Sequence, residues 1–215
     1  MKQYDLHIHT NASPCSGATP ASIVEAAVER NLDGIAITDH DTQTNVEAVQ
    51  RIAPDHLMVI PGVEVTTTEG HLLALYVDEA PPQAEPQTVV DFVHELGGVA
   101  VLAHPFDELR QTYDSDLTTL AAAVDGIEVR NSRCLFERYN RRAESFATTH
   151  DLTAIAGSDA HFPWEIGRAT TECKTSLRAA LKNDSCTVRG RGRYLTGHVA
   201  TKVEQFRSYR FNRLS

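Results

Sequence analysis

Apolar runs of strand length recur along the chain, and most are followed by a stretch with helical spacing. Tyr4 to His9 reads as a first strand, and Pro20-Ala21-Ser22 opens a helix to about Arg30 with Ile23, Val24, Ala27 and Val28 on one face. Gly34-Ile35-Ala36-Ile37-Thr38 is a buried strand, and a helix over about Asn45 to Ile52 leads to Leu57-Met58-Val59-Ile60. Pro61-Gly62 punctuates the chain before Val63-Glu64-Val65, and His71 to Val77 forms another strand. Beyond the proline-bearing loop from Pro81 to Pro86, a helix from about Gln87 to Leu96 ends at Gly97-Gly98 and Val99 to Ala103 follows as a strand. A helix near Leu117 to Ala123 then precedes a strand at Gly126 to Arg130, and a longer helix from about Leu135 to Thr149 precedes a strand at Thr153 to Ala156. Strand and helix thus alternate about seven times, which predicts a parallel α/β barrel whose chemistry sits at the C-terminal ends of its strands.

Composition fits this pattern. With 215 residues, 41% hydrophobic and 23% charged, the chain has the size of one α/β domain, expected over 1–190, with a basic tail at 191–215 packed on it or extending from it. A formal net charge of -9 argues against nonspecific nucleic-acid binding, although metal ions would offset several charges locally. The first strand begins too early for a secretory leader and no apolar run reaches bilayer length, so a soluble, cytoplasmic protein is expected. Cys15, Cys134, Cys173 and Cys186 are widely spaced without a CxxC pair, so neither a disulfide framework nor a zinc ribbon is indicated.

The polar residues at the strand ends carry the chemistry. Side chains two apart on a strand share a face, so His7 and His9 point together, as do Asp159 and His161. Asp39-His40, Glu64, His71 and His104 also lie at or just after predicted strands. Each alone has an ordinary explanation, a paired carboxylate or a hydrogen-bonded histidine; as a set they suit a hydrolytic site with several metals. His56, His94, His150 and His198 fall in predicted helices, loops or the tail and are left outside it.

These motifs resemble those of the PHP family, named for polymerase and histidinol phosphatase. The matching pieces, in that family's order, are Asp5-Leu6-His7-Ile8-His9-Thr10, Ile37-Thr38-Asp39-His40-Asp41, Pro61-Gly62-Val63-Glu64, His71, Ala103-His104-Pro105 and Gly157-Ser158-Asp159-Ala160-His161. The tract Phe162 to Thr171 is similar to that of small stand-alone metal-dependent phosphoesterases. The resemblance implies a distorted seven-stranded (β/α) barrel, TIM-barrel-like, holding two to three divalent ions. It also implies that His7, His9, Glu64 and Asp159 hold a first metal, that Glu64 bridges to a second on His71 and His104, and that His40 and His161 serve a third. One position departs from the pattern: where many members place an Asp five residues after the second His, this chain has Pro14, followed by Cys15. A weakened third site is therefore expected, with Cys15 a substitute ligand only if its thiolate turns inward.

Imidazole and carboxylate ligands without thiolate suit Zn, Mn or Fe, and predict phosphoester hydrolysis by a metal-activated hydroxide. His104, His161 and Asp159 are the candidate catalytic groups, and Arg130, Asn131, Arg133 and Arg168 the candidate substrate contacts. A surface salt bridge explains each arginine about equally well. The favoured substrate is a small phosphorylated metabolite or nucleotide; a 3′-to-5′ nuclease or nucleotide phosphodiesterase is the alternative enzyme, and a noncatalytic metal-stabilised binding module the alternative of another class. Arg189, Arg191, Arg193, Arg207, Arg210 and Arg213 read as a solvated basic tail, with contact to a nucleic acid or a neighbouring subunit the other reading; oligomeric state is not legible.

Overall fold

The computed structural model describes residues 1–110, 113, 116–183 and 185–190, so the basic tail at 191–215 lies outside the described residues. Among the described residues nine strands form one sheet rather than the seven expected: β1 (Lys2–Ile8), β2 (Gly34–Ile37), β3 (Met58–Thr66), β4 (His71–Leu75), β5 (Val99–Ala103), β6 (Gly126–Asn131), β7 (Thr153–Gly157), β8 (Ala169–Cys173) and β9 (Cys186–Gly190). Their order is β7-β6-β5-β4-β3-β2-β1-β8-β9. Helices α1 (Pro20–Glu29), α2 (Val46–Ile52), α3 (Pro86–Glu95), α4 (Leu117–Ala121), α5 (Glu137–His150) and α6 (Leu177–Lys182) connect them. The sequence-predicted helices fall within a few residues of the first five.

Two strands break the parallel rule. β4 runs antiparallel to both β3 and β5, and β8 runs antiparallel to β1 and β9. The reversal of β4 has a direct consequence: its first residue, His71, stands at the same end as the last residues of its neighbours. Pro61-Gly62 does not interrupt the chain but lies inside β3, where the pairing passes from β2 to β4. A side chain at 62 would meet the Ala74 carbonyl at 2.9 Å, so glycine allows the two strands to approach.

The sheet curls into a nearly closed barrel because the chain after β7 returns to β1. Ile8 and Ala160 form a parallel bridge, with His9 N donating to Ala160 O at 2.9 Å and Ala160 N to His7 O at 3.2 Å. Between β7 and β8 a side chain supplements the backbone: Thr171 Oγ1 accepts from Ala156 N at 2.8 Å and donates to Ala156 O at 3.0 Å.

Alternation along the strands divides the core. Tyr4, Leu6, Ala36, Ile60, Leu73, Leu75, Val99 and Val101 pack with Leu177, Ala180 and Leu181 of α6 in one cluster, the barrel interior. The opposite strand faces pack under the helices, Ile8, Ile35 and Ile37 with α1 and α2, and Leu72, Leu102, Ile127 and Val129 with α3 to α5. Leu6 therefore faces inward and Ile8 outward, which strict alternation forbids. An extra residue in β1 between Asp5 and Ile8 supplies the change, and it turns His7 and His9 toward the interior. A second one-residue shift between Glu128 and Arg130 in β6 likewise brings Glu128 and Asn131 to the same side.

Candidate metal centre

At the end of the barrel where these polar residues gather, Glu64 is the hub. Its Oε2 lies 3.2 Å from His7 Nε2, 3.1 Å from His9 Nε2 and 3.3 Å from His40 Nδ1. Its Oε1 lies 3.0 Å from His104 Nε2 and 3.7 Å from His71 Nδ1. Asp159 Oδ1 approaches His9 Nε2 at 3.3 Å, His161 Nδ1 at 3.5 Å and His7 Nε2 at 3.8 Å. All eight sequence-predicted ligands are thus brought together, from β1, β3, β4 and the chain just beyond β1, β2, β5 and β7. Four groups have donor atoms within 4.8 Å of one another: His7, His9 and Asp159; His7, Glu64 and His104; His40, Glu64 and His71; His9, His40 and His161.

The site fits cations better than it fits itself. His7 Nε2, His9 Nε2, His71 Nδ1 and His104 Nδ1 are buried and have no hydrogen-bond partner, a costly state for buried nitrogens unless something accepts their lone pairs. Burial opposes the charge on Glu64, but the imidazoles of His40, His7 and His71 and a hydrogen bond from His104 outweigh it and hold the carboxyl well below its usual range. Burial likewise opposes charge on Asp159; Arg110, His7, His9 and His161 together hold it well below. Burial lowers the His71 imidazole to about 4 and depresses His40 and His161 as well, a direction that favours the uncharged, metal-ligating form of these rings.

A surrounding layer fixes the donors. Glu128, buried in β6, sets the orientation of His7 through Nδ1 at 3.1 Å and accepts from His104 N at 3.0 Å. With Nδ1–H facing that carboxylate, His7 presents Nε2 as its lone pair. Asp159 divides its oxygens: Oδ1 faces the imidazoles, while Oδ2 accepts from Arg110 and, at 3.2 Å, from Asn131 Nδ2. Arg110 is itself held by Asp107 at 3.3 Å. Asp39 belongs to none of the four donor groups and ties down the loop after β1, accepting from Thr10 N at 2.7 Å, Thr10 Oγ1 at 2.6 Å and Ser13 Oγ at 2.6 Å. Asp5 anchors the other rim through Ser158 N at 2.8 Å and Gly167 N at 2.7 Å. Both His104 (φ 30) and Asp159 (φ 55) adopt left-handed backbone, costing of order 1–3 kcal/mol each and maintained by these contacts.

The expected substrate contacts lie in more occupied surroundings. Arg130 pairs with Glu137, and Arg133 is buried against Glu165 at 2.8 Å. Glu165 in turn accepts from His161 N and Phe162 N, so Arg133 supports the His161 loop. Asn131 donates to Glu128 at 2.9 Å as well as to Asp159, and Arg168 precedes β8 with its backbone N bonded to Glu165 O. Cys15 is buried, its thiol pushed up to about 12 by burial and by the charges of Glu64 and Asp159, and it joins none of the four donor groups. Sequence reading missed Glu128 and Arg110. A lone acid between Ile127 and Val129 in an apolar strand was a usable signal for the first. Nothing local marks Arg110, whose partner is 49 residues away.

The PHP domain model matches residues 5–153 and the PHP-associated model residues 137–185. The chain belongs to the PHP family. Among its relatives, the Methanocaldococcus jannaschii protein MJ0417 is 32% identical over 171 residues, 77% of this chain and 68% of that one. The 5′-3′ exoribonuclease Rnm of Salmonella typhimurium is 42% identical over 86 residues, 37% of this chain but 29% of the enzyme. The 3′,5′-nucleoside bisphosphate phosphatase of Chromobacterium violaceum is 33% identical over 87 residues, 38% of this chain and 30% of the enzyme. In fold, the chain is similar to a two-domain Bacteroides vulgatus protein described as containing a predicted PHP-like metal-dependent phosphoesterase, with TM-score 0.75 and 21% identity over 88% of this chain and 65% of that one. No helix among the described residues is long and apolar enough to cross a membrane.

Proposed function

We propose that this PHP protein is a metal-dependent phosphoesterase that hydrolyses a small phosphorylated metabolite or nucleotide. One observation carries the reading: a single buried carboxylate, Glu64, stands among five imidazoles, several with unpartnered nitrogens, at the strand ends of a barrel. Two to three divalent ions such as Zn, Mn or Fe, when bound there, supply Lewis acidity that activates water and neutralises phosphoryl oxygens. His7, His9, Glu64 and Asp159 would hold the first, Glu64, His71 and His104 the second, and His40 and His161 with the shared His9 the third.

The chain's own groups do the positioning. Glu128 selects the His7 tautomer, and Arg110 with Asn131 restrains Asp159 so that Oδ1 faces inward. His40 and His71 are the more accessible donors and mark the side from which a substrate enters. Where metal leaves it free, His104 would be the group to protonate a leaving oxygen, while His161, depressed by burial, would act as a donor to metal. Arg133 and Arg168 both bond Glu165, which supports the His161 loop; Arg130 and Asn131 lie at the end of β6.

A second reading, exonuclease, is favoured by the 42% identity to an exoribonuclease, whose 5′-3′ polarity is opposite to the one expected from the sequence. Assay of metal-depleted and Mn- or Zn-loaded protein on phosphomonoesters, phosphodiesters and single-stranded oligonucleotides tests both. Metal-dependent monoester hydrolysis supports the first reading, oligonucleotide degradation the second, and inactivity on every substrate with tight metal binding a noncatalytic module.

A further inference from the structure

Two of the four cysteines meet at the far edge of the sheet, away from the metal centre. Cys173 is the last residue of β8 and Cys186 the first of β9, and they are directly opposed partners in the antiparallel ladder. Their sulfur atoms lie 3.3 Å apart. Opposed residues of an antiparallel pair have Cα atoms about 4.5–5.5 Å apart, inside the range of about 4.4–6.8 Å that a disulfide spans. The backbone therefore needs no rearrangement for the sulfurs to bond.

We propose that Cys173 and Cys186 are an oxidisable pair that closes into a disulfide joining β8 to β9. Their surroundings divide the chemistry between them. Cys186 is half-buried and meets an external oxidant, whereas Cys173 is fully buried beneath it. With a low-molecular-weight disulfide as oxidant, the Cys186 thiolate attacks one sulfur, forming a mixed disulfide and releasing one small thiol. The Cys173 thiolate then attacks Cys186 Sγ, forming the internal bond and releasing the second small thiol; the two protein thiol protons leave with the released thiols.

The bond closes a loop containing α6, whose Leu177, Ala180 and Leu181 pack in the barrel interior beside Cys173. Because β8 also pairs with β1, the link fastens the outermost described strand to the neighbour of the strand that carries His7. Cys15 and Cys134 lie in the loops after β1 and β6 and serve as internal reference thiols.

The test is to incubate the full chain with oxidised glutathione, alkylate under denaturing conditions, and map peptides without reduction. The expected result is a Cys173–Cys186 cross-link, loss of two of the four alkylatable thiols, slower amide exchange in β9 and a melting temperature several degrees higher, all reversed by a phosphine reductant. A Cys173→Ser variant should instead accumulate glutathione on Cys186. Four alkylatable thiols after oxidation, a glutathione adduct on Cys186 that persists in the unsubstituted protein, or a cross-link to Cys15 or Cys134 would each overturn the proposal. The unsubstituted protein decides the matter even if the variant fails to fold.

Discussion

Replacing Gly157 with alanine should damage stability and the metal centre together. The backbone at 157 is not left-handed, so alanine is conformationally acceptable, and by restricting the unfolded chain it should gain about 0.4–1 kcal/mol. Sterics decide the sign instead. A Cβ at this position would lie 2.4 Å from His7 Cβ, 2.9 Å from Glu128 Oε1 and 3.0 Å from His7 N. None of the three can withdraw freely: β1 is paired on one side with β2 and on the other with β8, and Gly157 is paired with Asn131. Overpacking of this kind costs about 1–3 kcal/mol, and a contact this short belongs near the top of that range, so the net loss should be about 2 kcal/mol. At roughly 2–4 °C per kcal/mol for a chain of this size, the melting temperature should fall by about 4–8 °C. The strain resolves by moving His7 away from Glu64 and Asp159, and a shift near 1 Å in a reacting site costs about 100-fold in rate. Urea unfolding, metal titration and phosphoesterase assay on the purified variant measure all three effects. In a His7→Gly background the same substitution should cost less, since the closest contact is gone. A Gly157→Ala protein with unchanged urea midpoint and unchanged metal affinity would refute the argument.

Arg110→Ala and Asn131→Ala should each weaken metal affinity about 10–100-fold while the fold persists, because they release Asp159 Oδ2; competition with a chromophoric chelator measures this, and wild-type affinity in both would remove Asp159 positioning from the account. His7→Ala or Asp159→Ala should abolish phosphoester hydrolysis in a protein with native circular dichroism, and full activity after chelation would sink the metal-dependent reading. Metal counting after dialysis should find two ions retained and a third lost, since the His9, His40 and His161 group has no carboxylate; three retained ions in both the unsubstituted and Cys15→Ala proteins would show that Pro14 does not weaken that site. Burial, with the charges of Glu64 and Asp159, raises the Cys15 thiol to about 12, so the reactive thiolate is scarce below that pH; alkylation of native protein at pH 8 should spare Cys15, and rapid modification there would contradict its buried placement.

The chain announces its ligands because their signal is local. His7 and His9, Asp159 and His161, and single acids or histidines at the ends of apolar runs are recognisable from strand periodicity and residue chemistry, and the structure brings all eight to one place. Helices α1 to α5 were legible for the same reason, through their spacing and their Pro and Gly boundaries. β8 was hidden because Ala169-Thr170-Thr171-Glu172-Cys173 is polar in sequence yet buried in the fold, Thr171 bonding Ala156 and Glu172 pairing with Gln3 and Arg189. β9 is a mostly exposed edge strand without an apolar pattern. What tertiary structure alone decided is non-local: the reversal of β4 that places His71 with the other donors, the extra residue in β1 that turns His7 inward beside Leu6, and the reach of Arg110 to Asp159 across 49 residues. Periodicity states which face a side chain shares with its neighbours in the chain. Which strand lies alongside, in which direction and register, depends on free energies of pairing between segments distant in sequence, and only the assembled barrel fixes them.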